Sequence, residues 1–144
     1  MAHTNVVSLE DRLAITDLLS SYNHAVDSGE PDNVVACFME DGTLNGRSGS
    51  YRGHEELRRI GTFAKSDFQP RHVVSNVIIT GRAGVSHLAD VRSHLLYYEV
   101  TAEGISLKAS GTYQDTVIKN GNVWKFQSRL MTPAIGKAWP GQVL

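Results

Sequence analysis

RHVVSNVIIT, at residues 71–80, opens a part of the chain in which β-branched and aromatic residues dominate. Three similar runs follow at residues 85–100, 105–119 and 122–131, and the turn sequences GRAG, TAEG and NGN separate the runs. Runs of this composition between turn residues are typical of β-strands. The Asn-Gly pair in KNGN also favours a tight hairpin. The C-terminal half therefore predicts four long strands in an antiparallel meander.

Upstream of these strands the chain has helical patterns. The sequence SLEDRLAITDLLSSYNHAVDSG places apolar residues at helical spacing, and Ser8 can cap this helix while Gly29 ends it. Further helices are predicted at 33–39 and 54–65, with a strand in EDGTLNG between them. Helices followed by a run of strands favour an α+β fold, with helices packed on one face of a curved sheet.

The composition excludes several classes of function. The chain has 144 residues, 41% hydrophobic and 20% charged, as expected for one globular domain. A net charge of −1 without a basic block argues against nucleic acid and anionic membranes as partners. No apolar run reaches the ~18 residues of a membrane helix. Cys37, the single cysteine, lies in an apolar run and predicts a core position, so a cytoplasmic protein is expected.

Two ionisable residues are candidates for chemistry. Asp27 lies at the end of the first helix, where the helix dipole disfavours a carboxylate by a few tenths to about 1 kcal/mol. Asp27 is therefore either a proton-transfer group or a turn residue in DSG. His72 heads a strand face that alternation shares with Val74, Asn76 and Ile78. A histidine there is either a core residue or a proton shuttle near neutral pH.

Other polar residues have weaker patterns. Tyr22 lies five residues before Asp27, about 140° around an ideal helix, so the two side chains converge only if the helix unwinds near its end. Alternation places the more apolar face of the second long strand opposite His94. Ion pairs across the sheet rim, with no chemical role, are predicted among the charged residues Arg71, Arg92, Arg129, Asp90 and Asp115.

The order of these segments resembles the SnoaL-like, nuclear-transport-factor-like cone fold. The resemblance rests on Tyr-x4-Asp at the helix end, VVACFMEDGTLNG, RHVVSNVII, ADVRSHLLYY and GTYQDTVIKNGNVWKFQSR, and it covers residues 9–129. The sequence is most similar to the branch with scytalone dehydratase, bile-acid dehydratase and the small subunits of ring-hydroxylating dioxygenases. The resemblance implies a cone-shaped, curved mixed or antiparallel sheet wrapped by three N-terminal helices. It predicts one domain over residues 1–144, with 132–144 as a C-terminal tail.

The resemblance also implies roles for individual residues. In the dehydratases of the family, a tyrosine and an aspartate from the first helix face sheet histidines across an apolar pocket. Tyr22, Asp27 and His72 match these positions, and His94 is the second sheet candidate for catalysis. The candidates for substrate contact are Tyr51, Asn45 and Tyr113.

The function implied is a cofactor-independent lyase that acts on a small apolar, aromatic or polycyclic compound. Dehydration is the leading reaction, and retro-aldol cleavage needs the same acid, base and electron sink. A ketosteroid-isomerase-like isomerase, a polyketide cyclase and a non-catalytic binding or assembly subunit are the alternatives. The sequence has no P-loop, dinucleotide fingerprint or H-E-x-x-H motif, so no cofactor or metal is expected. A homodimer or homotrimer is predicted, because the outer face of an open sheet is usually covered.

Overall fold

The computed structural model describes residues 6–62 and 67–134. The helices are α1 (Leu9–Ser28), α2 (Pro31–Ala36) and α3 (Gly53–Leu57), with a 3-10 turn at Arg58–Thr62. The strands are β1 (Phe38–Gly46), β2 (Gly49–Arg52), β3 (Gln69–Arg82), β4 (Val85–Thr101), β5 (Gly104–Asn120) and β6 (Val123–Pro133). The four long strands and the three helices that precede them were all predicted.

Helix α1 follows the signals in its sequence. The Ser8 hydroxyl accepts a hydrogen bond from the Asp11 N–H at 3.0 Å, which satisfies one of the free donors at the helix start. Gly29 ends the helix in the left-handed conformation, with φ of 68°. The predicted bounds of α2 were wrong, because the helix ends at Ala36 and Phe38 pairs with Phe126 of β6 instead. The prediction for α3 ran beyond the observed element, and residues 63–66 lie outside the described part.

The six strands form one mixed sheet in the order β2-β1-β6-β5-β4-β3. Strand β1 is parallel to β6, and the other neighbours are antiparallel. Helix α1 packs on the inner face of this curved sheet, where Ile15 and Leu19 join Phe38 and Phe126 in the buried core. The predicted α+β fold, with helices against one face of a curved sheet, is confirmed.

A β-bulge in β3 changes which residues share a face. The pairing moves from Ser75 opposite His94 to Ile78 opposite Arg92, so β3 has one more residue here than β4. Asn76 has φ of 53°, a conformation that asparagine tolerates better than most residues. As a result Asn76 and Ile78 are exposed. The predicted shared face holds for His72 and Val74 alone.

The predicted C-terminal tail is described only at its beginning. Thr132 and Pro133 still pair with β5, and the N–H of Ala134 donates to the Ser110 carbonyl at 3.0 Å. The rest of the tail, with Trp139 and Leu144, lies outside the described residues. Among residues 6–62 and 67–134, no helix combines the length and hydrophobicity that crossing a bilayer requires.

Candidate active site

Asp27 and His72 are in direct contact between α1 and β3. The Oδ1 atom of Asp27 lies 2.6 Å from Nδ1 of the His72 ring. Its Oδ2 atom accepts a hydrogen bond from the backbone N–H of His72 at 2.9 Å. The exposed fractions of the two side chains are 10% for Asp27 and 19% for His72. Both carboxylate oxygens are therefore bonded to a single residue.

The end of α1 holds Asp27 in this position without unwinding. The helix remains regular through Ser28, and the Gln69 side chain donates to the backbone carbonyl of Asp27 at 3.0 Å. Tyr22, one turn earlier, packs edge-on against Phe126, with 5.8 Å between the ring centroids. The helix therefore does not unwind, and the condition for Tyr22 and Asp27 to converge is not met. Tyr22 lies over the sheet, while Asp27 reaches β3 from the flank of the helix.

The contact with Asp27 fixes the chemical form of His72. A carboxylate only accepts hydrogen bonds, so Nδ1 of His72 carries the hydrogen that points at Asp27. The opposite nitrogen, Nε2, has no hydrogen-bond partner within the described residues. An imidazole held in this way presents Nε2 as a proton acceptor, and the carboxylate stabilises the imidazolium that forms. Both oxygens of Asp27 are bonded to His72, so Nε2 is the ring nitrogen that the carboxylate leaves free.

His72 faces a cavity of about 410 Å³ between α1 and the inner face of the sheet. A cavity of this size fits a small organic molecule. Apolar side chains form much of its wall, and those include Val26, Leu44, Ile60, Leu95, Ala109 and Met131. An apolar wall strengthens the electrostatic effect of each polar group that faces the cavity.

Two tyrosines provide hydroxyl groups in this cavity. Tyr22 and Tyr113 both line it and are otherwise buried. Burial raises the pKa of both residues above the ordinary value of a tyrosine, so both remain protonated hydrogen-bond donors at neutral pH. Neither hydroxyl has a hydrogen-bond partner in the described part of the chain. They are available to an oxygen atom of a ligand.

A buried ion pair lies beneath these tyrosines. Arg129 and Asp115 have no exposed side-chain area, and Nε of Arg129 donates to Oδ1 of Asp115 at 3.0 Å. The guanidinium carbon lies 3.8 Å from the ring centroid of Tyr113 and 4.6 Å from that of Tyr22. Contacts of a cation with aromatic faces at these distances are attractive. The predicted position of this pair at the sheet rim was wrong, because it lies inside the cone.

Of the other predicted site residues, one lines the cavity and three lie outside its wall. Tyr113 lines the cavity. His94 is exposed on the outer face of β4, where its Nδ1 lies 3.1 Å from the amide nitrogen of Asn76. The Tyr51 hydroxyl donates to the Ser48 carbonyl at 3.1 Å, and Asn45 is exposed. The structure does not bring His94, Tyr51 or Asn45 into the cavity wall.

Tyr97 and Arg47 also line the cavity, and neither was a candidate from the sequence. Tyr97 lies on the same face of β4 as Leu95, so the alternation of the strand carried a signal for it. Its ring packs against His72, with 4.7 Å between the centroids. Arg47 lies in the turn after β1, where no periodic pattern could indicate its direction. Within the described residues, no group of three or more His, Cys, Asp or Glu side chains gathers as metal ligands do.

The curved sheet, the helix across it and the cavity between them define the chain as a cone-fold protein with a cavity that fits a small molecule. Residues 7–130 match the model of the SnoaL-like domain, and the chain belongs to that family. The resemblance in the sequence is confirmed. The family includes enzymes that process small molecules. No curated protein matches the sequence.

Solved structures with the same fold include proteins of several descriptions. A cystatin-like protein of unknown function from Nostoc punctiforme is 29% identical, with a TM-score of 0.76, and the match covers 90% of this chain and 95% of that one. A candidate aromatic ring hydroxylase from Novosphingobium aromaticivorans is 28% identical, with a TM-score of 0.74 and coverage of 89% and 92%. A candidate scytalone dehydratase from the same organism is 24% identical, with a TM-score of 0.75 and coverage of 88% and 86%, which supports the fold alone.

Proposed function

We propose that this protein is a cofactor-independent lyase that dehydrates a small aromatic or polycyclic compound. One observation carries the proposal: His72 presents Nε2 to an apolar cavity while Asp27 holds its Nδ1 at 2.6 Å. A positioned histidine near neutral pH is well suited to move a proton in both directions. The sequence suggested Asp27 as the proton-transfer partner and His72 as its relay. In the present proposal His72 is the catalytic base and Asp27 is the positioning residue.

The reaction uses the groups in the cavity in sequence. Nε2 of His72 takes a proton from a carbon next to a carbonyl group of the substrate, and the electron pair of that bond forms an enolate. Tyr22 and Tyr113 donate hydrogen bonds to the enolate oxygen, as preorganised donors do elsewhere. The carbonyl then re-forms, the electron pair of the enolate makes a double bond to the neighbouring carbon, and the bond from that carbon to its hydroxyl group breaks. The imidazolium protonates that hydroxyl group, and the products are water and the unsaturated compound.

Closely related reactions use the same residues. In an isomerase His72 would return the proton to another carbon, and in a retro-aldol cleavage a carbon–carbon bond would break in place of the bond to hydroxyl. Dehydration needs a leaving group that the imidazolium can protonate, and His72 carries that proton after the first step. The candidate scytalone dehydratase among the structural neighbours supports the fold of such an enzyme.

Replacing Tyr22 with phenylalanine tests the proposed oxyanion donors. One donor to an oxyanion contributes about 10²–10³ in turnover, and Tyr113 lies near enough to compensate in part, so we expect Tyr22→Phe to cost about tenfold to a hundredfold. Tyr51→Phe is the matched control, because its hydroxyl bonds to Ser48. Steady-state kinetics on both variants make the comparison. Equal activity of Tyr22→Phe and the wild type would remove Tyr22 from the mechanism.

We also propose that the protein is a homodimer or homotrimer that assembles through the outer face of the sheet. Val73 on β3 and Leu96 on β4 are paired neighbours, and each is 43% exposed. Apolar side chains grouped on a sheet face are usually covered by another surface. We expect light scattering at micromolar concentration to give two or three times the mass of the chain. We expect Leu96→Glu to give monomers, and a monomeric wild type would contradict the proposal.

A further inference from the structure

Arg47 stands at the mouth of the cavity. It lies in the turn between β1 and β2, and with Ser48 it forms the exposed part of the cavity wall. Its guanidinium carbon is 5.6 Å from the ring centroid of Tyr97. The same ring packs on His72, with 4.7 Å between the centroids. The cation at the mouth and the proposed base therefore contact one aromatic ring.

The charges around the cavity are unbalanced. Arg47 is the only Lys or Arg in the cavity wall as the described residues form it, and that wall contains no Asp or Glu. Asp27 lies behind His72, and both of its oxygens are bonded there. Glu99 accepts a hydrogen bond from the Tyr97 hydroxyl at 2.9 Å, and its Oε2 atom lies 3.8 Å from Nζ of Lys108. Among residues 6–62 and 67–134, no carboxylate forms an ion pair with Arg47.

Arg47 at the cavity mouth favours a ligand with a negative charge, a property that the apolar wall alone does not select. A guanidinium group binds a carboxylate through two parallel hydrogen bonds, and the contact with the Tyr97 ring limits the directions that Arg47 can take. A neutral apolar compound fits the wall equally well but leaves this cation without a partner. A cationic compound would be repelled by it.

We propose that the substrate is an aromatic or polycyclic acid whose rings fill the cavity and whose carboxylate binds Arg47 at the mouth. Because Arg47 and His72 contact the same ring, we expect the acidic group and the reacting carbon to lie within the span of one small compound. The assignment of the reacting end to His72 rests on the proposed function. Binding of the acidic end is independent of the reaction, so it can be tested by binding alone.

Two fluorescent probes separate the charge from the rings. 1-Anilinonaphthalene-8-sulfonate carries an anionic group, and N-phenyl-1-naphthylamine has the same rings without it. In Arg47→Met we expect the Kd of the anionic probe to rise about threefold to tenfold, in the range of one partly exposed ion pair, and the Kd of the neutral probe to stay within twofold. Added salt should weaken binding of the anionic probe to the wild type but not to Arg47→Met.

Arg52→Met is the matched control, because Arg52 belongs to the same hairpin, is exposed and lies outside the cavity wall. Arg52→Met should leave the Kd of both probes unchanged. The two probes should also compete for one site. The proposal is overturned if Arg47→Met weakens both probes equally or neither, if Arg52→Met has the same effect, or if the probes do not compete.

Probe binding and turnover, both measured on Asp27→Asn, separate the proposed anion site from the proposed reaction. We expect that variant to bind both probes as the wild type does. A selective effect of Arg47→Met together with full turnover in Asp27→Asn would support the anion site and reject the proposed reaction. Loss of turnover in Asp27→Asn without a selective effect of Arg47→Met would support the reaction and reject the acidic substrate.

Discussion

Replacing Asp27 with asparagine is expected to lower turnover by about 10²–10⁴, the contribution typical of general acid–base catalysis. The asparagine side chain has nearly the same shape, but an amide cannot stabilise an imidazolium as a carboxylate does. Because Asp27 contacts His72 and does not line the cavity, kcat should fall while KM changes little. The variant should lose only about 1 kcal/mol of unfolding free energy, since one hydrogen bond to His72 is weakened.

Three further proteins complete this experiment. His72→Ala should lose a similar factor in turnover, and the double variant should lose far less than the product, because residues that act as a unit are not additive. Asp17→Asn is the matched control, since Asp17 is exposed on the same helix. Wild-type turnover together with weakened folding in Asp27→Asn would mean that Asp27 only stabilises the helix end.

Replacing Arg129 with leucine is expected to cost about 3–5 kcal/mol of unfolding free energy, as removal of one partner of a buried ion pair does elsewhere. The change leaves the Asp115 carboxylate in the core without its partner, and burial already raises the pKa of that carboxyl against the effect of Arg129. It also removes the cation that contacts the rings of Tyr22 and Tyr113. Urea unfolding followed by circular dichroism measures the loss.

Two comparisons make this prediction specific. Arg82→Leu breaks the exposed pair of Arg82 with Asp90 and should have a much smaller effect. Adding Asp115→Leu to Arg129→Leu should restore part of the stability, because the unpaired charge is then gone. An Arg129→Leu variant no less stable than Arg82→Leu would contradict the interpretation of a buried, mutually dependent pair.

The long elements of this fold were predictable because each follows a simple period. The cap at Ser8, the helical spacing of α1 and the alternation along β4 all agree with the structure. Bulges were not predictable, because they depend on local pairing. In β6 the inward side chains change from Phe126 to Arg129, three residues apart, where the register with β5 shifts. That shift turns Arg129 into the core, and nothing in the sequence indicated it.

The candidate site was predictable only in part. The match to a known family brought Asp27 and His72 together, and they are in contact. Which of the two residues faces the cavity depends on how the end of α1 approaches β3, a tertiary arrangement that neither segment encodes alone. His94 was kept as a second catalytic candidate although alternation argued against it, and the structure places it on the outer face.

We propose that His72, held by Asp27, moves a proton to and from a carbon atom in the cavity. Exchange of solvent deuterium into the carbon next to the carbonyl of 2-tetralone, followed by proton NMR in D₂O, tests it without knowledge of the natural substrate. We predict faster exchange with the wild type and with Asp17→Asn than without protein, and exchange reduced about 10²-fold or more in His72→Ala and Asp27→Asn. Exchange at the wild-type rate in both site variants would contradict this role of His72, and so would no acceleration by a wild type that binds the ketone.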